Sequence, residues 1–531
     1  MNSVDKTGQT ATAVASPQYA GATPQPPLKH VGITIALACF GVFIAYLPVT
    51  TVSISLPTIQ SALSVNTSLL SWVQDAYVIP MAALILTAGV FGDVHGRKKV
   101  LVTGLAFAAA GATVSLSAHS IGILLLGQAL YGLGAAALLP STLAIISHMV
   151  PDLRQRGKYI TIWAMSMMAA LALGPVIAGL IENFASWRWI FLPAIPLSIL
   201  GLVLSLLYVH DSRSPHPRKL DWAGQITAAI TIVAVIYAVI EGGATSFSAH
   251  RVIAAFVIGA LSLIAFIIIE LRSASPMLDL KVFTYPAFTA TSLVAMIAFL
   301  GLIGFFFVLS LYLGLVQQLD TLHAGARLII VPLSAVAVSP LVGRLIHVVP
   351  ARVTITGGLL VIAAGQFLLL DLSATTSFAS ISWRLVLLGI GLAFVTTPMT
   401  TTAVSAVPPQ LMGVAAAGNN AFRQLGSALG PAILGAILTN GALRALPDKL
   451  SDVHVPAALH TSILKTAQDS GLSAVAHMQL GMQTGPVLGA IGDSFLSGLH
   501  LCLIVSGILV LAAAVVSTAL LRRPQQAASK Q

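Results

Sequence analysis

Charge is scarce in this sequence. Only 8% of its 531 residues are Asp, Glu, Lys or Arg, against 57% hydrophobic, where a soluble globular protein carries roughly a quarter charged residues. An apolar excess of that size cannot be enclosed in a soluble core. Cysteine is nearly absent: Cys39 and Cys502 lie in apolar runs, so they specify neither a disulfide framework nor a metal site. No G-x-x-x-x-G-K-[ST] phosphate loop is present, which excludes ATP-driven work by this chain alone. Nor is there a G-x-S-x-G, an H-E-x-x-H or a Cys-rich ligand set. The chain reads as no enzyme, with no cofactor and no metal. Residues 1–29 also lack a short apolar core with a cleavage site; polar and Pro-containing, they read as a flexible cytoplasmic tail.

Long apolar runs are abundant. Many are about 20 residues, enough at 1.5 Å per residue to cross ~30 Å of hydrocarbon. The pattern predicts helices near 31–56, 71–91, 100–118, 121–147, 159–182, 189–209, 223–240 and 251–269. A second series follows near 286–316, 323–346, 352–370, 383–404, 413–439 and 496–521. The fold class is therefore an all-α polytopic membrane protein of about fourteen transmembrane helices. Continuous runs such as Ile199 to Tyr208 exclude a β-barrel, whose strands alternate.

The net charge of +10 does not point to nucleic acid, because Lys and Arg form no basic stripe with interleaved aromatics. Topology accounts for it. Arg97, Lys98 and Lys99, then Arg154, Arg156 and Lys158, then Arg213, Arg218 and Lys219, with Arg522 and Arg523 in the tail, fall on one side if the amino terminus is inside. The positive-inside bias predicts both termini in the cytoplasm, with the protein in the plasma (inner) membrane. One long outer loop, about 440–494, mixes Pro, Gly and His with short apolar stretches suited to short interfacial helices. Asn66-Thr67-Ser68 matches a glycosylation sequon, but a cap on the second helix explains it more simply.

Internal repetition organises the chain. Ala172 to Gly179 (ALGPVIAG) recurs as Ala428 to Gly435 (ALGPAILG), 256 residues later; Gly132 and Gly134 recur as Gly389 and Gly391, 257 residues later; and a weak echo of the turn after Gly89 begins at Gly343, 254 residues later. Three matches in one order at nearly one offset imply two six-helix bundles, predicted as 31–209 and 286–522. A linker at 210–285 holds two extra helices, and tails flank the whole at 1–30 and 523–531. An even helix count per half makes the repeats parallel, with a cavity between them near the midplane.

The stretch from Trp72 to Lys99 joins one embedded carboxylate, Asp75, to a charged turn, Gly89, Asp93, Gly96, Arg97, Lys98 and Lys99. Gly89 permits two helices to approach, Asp93 caps or pairs, and the basic residues bind headgroups or a carboxylate. The arrangement G-x-x-x-D-x-x-G-R-K resembles the loop signature of the major facilitator superfamily. Further stretches resemble its fourteen-helix drug:proton antiporter branch: WVQDAY (Trp72 to Tyr77), GPVIAG (Gly174 to Gly179), SWRWIF (Ser186 to Phe191), LDWAG (Leu220 to Gly224) and NAFRQLG (Asn420 to Gly426). That resemblance implies a conformational latch at Gly89, Asp93, Gly96 and Arg97, and an antiporter-type gate helix at Gly174, Pro175 and Gly179. It implies an alternating-access exporter of hydrophobic or amphipathic compounds, a proton-coupled multidrug pump, acting on small molecules among membrane lipids as a monomer.

Two departures bear on the coupling. The branch usually has an aspartate in its first helix where this chain has Pro48, and an arginine in its fourth where this chain has Gln128. The second-half echo has His347 and Pro350 where Asp and Gly are expected. Asp75 is left as the proton or cation candidate of the first half, since a buried carboxylate costs several kcal/mol to keep ionised. Thr50, Thr51, Ser53, Gln128 and Tyr131 are expected on a polar cavity wall; Asn420, Arg423 and Gln424 are further polar candidates, since the embedded Arg423 needs a partner or a water-filled cavity. Met165, Met167, Met168 and Phe305 to Phe307 offer adaptable apolar surface. An uncoupled facilitator, or a dedicated exporter of one metabolite or lipid, is the alternative. A membrane sensor should carry a soluble module, which the sequence does not show.

Overall fold

The computed structural model describes residues 30–521, apart from 66, 151–152, 214–219, 274, 347, 409–410, 454, 471, 473–474, 476–477 and 479–482. The terminal tails, the sequon's Asn66, the linker's Arg218 and Lys219, His347, Arg522 and Arg523 therefore lie outside the described residues.

Among the described residues, fourteen helices are long and apolar enough to cross a membrane: α1 Val31–Leu63, α2 Leu69–His95, α3 Arg97–Leu116, α4 Ile121–Met149, α5 Gly157–Glu182, α6 Trp187–Tyr208, α7 Trp222–Gly243, α8 His250–Arg272, α9 Pro286–Val316, α10 Thr321–Leu345, α11 Ala351–Asp371, α12 Phe378–Ser405, α13 Met412–Asp452 and α14 Thr484–Leu520. The end that carries Gly96 is called the turn end below, and the opposite one the far end.

Helix packing repeats as the sequence does. In the first half α1 packs on α4, α5 and α6, α2 on α4, and α3 on α4 and α6; in the second, α9 packs on α12, α13 and α14, α10 on α12, and α11 on α12 and α14. Each pair recurs eight helices on, which is the signature of two parallel six-helix bundles. Between the bundles, α5 lies on α10, α2 lies on α13, and α1 lies on α9.

The repeated glycines explain the match. In α4 a Cβ on Gly132 would strike the Tyr77 carbonyl of α2, and one on Gly134 would sit 2.7 Å from the Gly104 carbonyl of α3. In α12 a Cβ on Gly389 would strike the Val331 carbonyl of α10, and one on Gly391 would sit 2.7 Å from the Gly358 carbonyl of α11. Helices approach this closely only where a side chain is missing.

The extra helices dock by polar contacts. Gln225 of α7 donates to the Ala83 carbonyl of α2 at 2.8 Å and accepts from Thr87. Asn440 of α13 donates to the Gly243 carbonyl at 2.8 Å. Farther out, α8 packs on α7 and leaves Ile253, Phe256, Leu261 and Ile264 exposed, as a lipid-facing helix does.

Three helix ends differ from the sequence expectation. α1 runs through Pro57 to Leu63. α13 continues past 439 to Asp452, and α14 begins at Thr484 rather than near 496. Polar and glycine residues lower the hydropathy there without breaking the hydrogen-bond ladder. At 41 residues, α13 is about 60 Å long, about twice the hydrocarbon thickness, so it projects beyond the far end. With helix Ala457–Ser470 it forms a cap whose small core includes Leu446, Leu450, Val455, Ile463 and Val487.

Candidate functional site

The turn site is assembled locally. Arg97 opens α3 four residues after Asp93, and donates to the Asp93 carboxylate from Nη2 at 2.8 Å and from Nε at 3.2 Å. Its Nη1 also reaches the Ala144 carbonyl of α4 at 3.2 Å, so the guanidinium ties three helices together. Gly96, at φ +113°, supplies a backbone conformation that L side chains rarely adopt. A Cβ there would also run into the Asp211 carboxylate, which accepts from the Lys98 amide at 3.3 Å. Gly89 is less constrained: a Cβ would meet Pro140 at 3.5 Å, an ordinary contact.

The GPxxxG segments sit at the seam between the halves. Each first glycine packs inside its own half, Gly174 against Thr50 and Thr51 of α1, Gly430 against Leu300 and Gly304 of α9. Each last glycine faces the other half. A Cβ on Gly179 would strike the Leu322 backbone of α10, and one on Gly435 would sit 2.7 Å from Ser71 Oγ of α2. The prolines join in: a Cβ on Gly325 would sit 2.6 Å from the Pro175 carbonyl, and Ser71 Oγ donates to the Pro431 carbonyl at 3.4 Å. The two crossings, α5 on α10 and α13 on α2, are thus related by the internal repeat.

Asp75 lies one turn after Ser71 on α2, hence on the face that meets α13. It is wholly buried, and neither carboxylate oxygen has a hydrogen-bond partner. Elsewhere on the seam Gln424 of α13 donates to the Tyr46 hydroxyl of α1 at 2.9 Å. Arg423, 7% exposed, is held by Asn420 and stands over the Phe299 ring at 5.1 Å. Among the described residues no carboxylate lies within 4.0 Å of that guanidinium.

The expected polar wall is corrected in part. Gln128 and Tyr131 are buried within the first half, Gln128 donating to Ser115 of α3 at 3.3 Å and Tyr131 to the Ile44 carbonyl of α1 at 3.0 Å. Thr51 and Ser53 return their hydroxyls to the Leu47 and Val49 carbonyls at 2.7 and 2.6 Å, while Thr50 Oγ1 is buried without a partner. Hydroxyls one turn from a carbonyl satisfy themselves within the helix. Of the apolar candidates, Met167, Met168 and Phe305 to Phe307 are buried and Met165 is exposed.

A cavity of about 1110 Å³ opens at the far end, lined by the ends of α1, α5 and α9, the start of α10, and the cap. Its charged lining residues are Glu182, Asp320 and Asp493, with no Lys, Arg or His among them. Sequence reasoning missed Glu182, Tyr46 and Asp211. For Glu182 the only signal was a lone acid closing the GPVIAG helix, three residues after Gly179.

Two parallel six-helix bundles meeting along the paired GPxxxG helices, with buried polar groups on the seam, give the architecture of a membrane transporter. The chain belongs to the Major Facilitator Superfamily, whose model matches residues 38–431. It is similar to the "Multidrug resistance protein Stp" of Mycobacterium tuberculosis, 31% identical over 89% of each chain. It is equally similar to the "Multidrug efflux pump LfrA" of Mycolicibacterium smegmatis, 31% identical over 92% of this chain and 96% of that one. Among solved structures, an inward-facing, unoccupied bacterial homologue of the human lysosomal transporter Spinster superposes with a TM-score of 0.57 at 15% identity. That superposition covers 93% of this chain and 97% of that one.

Proposed function

We propose that this transporter exports hydrophobic or amphipathic small molecules by alternating access, coupled to proton entry through Asp75, as a monomer in the plasma (inner) membrane with both termini in the cytoplasm. The observation that carries the coupling is the Asp75 carboxyl group, wholly buried on the α2 face that meets α13 and without a hydrogen-bond donor. An acid so placed changes its surroundings whenever the halves part, and an acid whose surroundings change can take up a proton on one side and release it on the other. Efflux follows from the names of the relatives, which are drug-resistance and efflux proteins across nearly the same length. The Asp93–Arg97 pair acts as the latch of one conformation. Gly174, Pro175 and Gly179 act as the gate. Asn420, Arg423 and Gln424 supply the polar contacts to cargo.

Pro48 and Gln128, standing where charges are usual in the branch, favour a second reading, an uncoupled facilitator or a dedicated exporter of one metabolite or lipid. One experiment separates the two. Purified protein in liposomes, under an imposed pH gradient, is followed with a fluorescent lipophilic cation for wild type and Asp75→Asn. Gradient-dependent flux that Asp75→Asn abolishes is the expected result. Flux that ignores both the gradient and the substitution overturns the coupling.

A further inference from the structure

Glu182 closes α5 where α1, α5 and α10 converge at the far end. One oxygen of its carboxylate, Oε2, accepts from Thr58 of its own half at 2.9 Å and from Thr321 of the opposite half; the two threonine hydroxyls are 3.3 Å apart. The other oxygen, Oε1, is buried without a partner. Among the described residues no Lys, Arg or His nitrogen lies within 4.0 Å of the carboxylate. The other charged groups lining the same cavity are Asp320, at the start of α10 and paired with His323 at 2.7 Å, and Asp493 on α14. The charge of Glu182 is thus held by hydroxyl donors alone, one of them from the other bundle.

We propose that Glu182 and Thr321 form the far-end latch of the transport cycle, a hydrogen bond between the bundles that holds this end shut and must break before cargo can leave. Three features support it. The pair lies beside the Gly179–Leu322 crossing, so α10 cannot leave α5 without parting it. The donor and acceptor belong to different bundles, so the bond reports their separation and nothing within either. The cavity behind it receives the carboxylate once the bond breaks, and water there replaces the lost hydroxyl; this makes the latch reversible. A hydrogen bond to a charged group is worth more than a neutral one but is still only a small multiple of thermal energy.

The latch rests on the alternating-access reading, yet its test needs neither cargo nor proton gradient. Spin labels at Asn183→Cys and Gln318→Cys, both exposed and on opposite sides of the seam, give the far-end distance by pulsed EPR in lipid nanodiscs. Thr321→Val and Glu182→Ala should each raise the ratio of long to short distances on the order of tenfold, the size of one hydrogen bond to a charge. The double variant should raise it no further than the stronger single change. Thr321→Ser, which restores the hydroxyl, should match wild type, and Glu182→Gln, which keeps the shape, should fall between. Unchanged distances in Thr321→Val, additive effects in the double variant, or a Thr321→Ser variant as open as Thr321→Val would overturn the proposal. Loss of gradient-driven flux alone would leave it standing.

Discussion

Gln424 and Tyr46 are 378 residues apart in sequence, yet the Gln424 amide donates to the Tyr46 hydroxyl at 2.9 Å and joins α13 to α1. The amide oxygen of Gln424 is buried and unpartnered, so this one bond carries the side chain's satisfaction. Tyr46→Phe is expected to lower stability by about 1–3 kcal/mol, the cost of leaving a buried amide unpaired. Pairing it with Gln424→Leu should recover most of that loss. Thermal unfolding of the singles and the double in detergent measures the coupling, and strictly additive losses would show that the two side chains do not act together.

Gly179 and Gly89 predict opposite outcomes for the same small change. At Gly179 the added methyl meets the Leu322 backbone, which cannot yield without moving α10; at Gly89 it meets only Pro140 at an ordinary 3.5 Å. Gly179→Ala should therefore cut flux by on the order of tenfold, or open a proton leak, while Gly89→Ala stays near wild type. Liposome flux and pH-sensitive dye leakage read both.

At the turn end the Arg97 side chain makes more than an ion pair. Its partner Asp93 is partly exposed, and such a pair contributes about 0.5 kcal/mol. Arg97→Ala also forfeits the Ala144 carbonyl, so it should slow transport more than Asp93→Asn while both melt within a few degrees of wild type. Equal flux for the two variants would assign the turn's effect to the salt bridge alone.

Asp320 caps α10 by accepting from the His323 backbone amide at 2.8 Å. That bond, ahead of the His323 side chain, holds its carboxyl below the usual carboxylate value. A lowered value means that the stabilisation is complete above the ordinary carboxylate pKa of about 4 and fades as pH falls through the lower folded value. Asp320→Ala should cost about 1 kcal/mol at neutral pH and nothing measurable once the wild-type carboxyl is protonated. Parallel melting curves across acid pH would show the two proteins converging.

The number of helices, their even division into halves and the pairing of repeats were all legible in the sequence, because each rests on periods and offsets carried by the chain itself. A run of about 20 apolar residues dictates a span, and a missing side chain at Gly132, Gly134, Gly179 or Gly435 dictates a close crossing wherever that face lands. The Asp93–Arg97 pair was legible too, since four residues on one helix are neighbours. Helix ends were less so: hydropathy registers solvent, not the backbone ladder, so the cap on α13 and α14 read as loop.

What the tertiary structure alone decided is which faces meet. Gln128 and Tyr131 look like cavity residues until α3 and α1 are seen to cover them. Glu182 looks like a helix-end acid until Thr321 arrives from the other half, 139 residues on. The physical reason is that a helix states its own length and its small residues locally, whereas the partner of a buried polar group is chosen by packing among helices hundreds of residues apart. The chain by itself therefore determined a two-fold repeated transporter with tight seams; the fold determined which side chains those seams enclose.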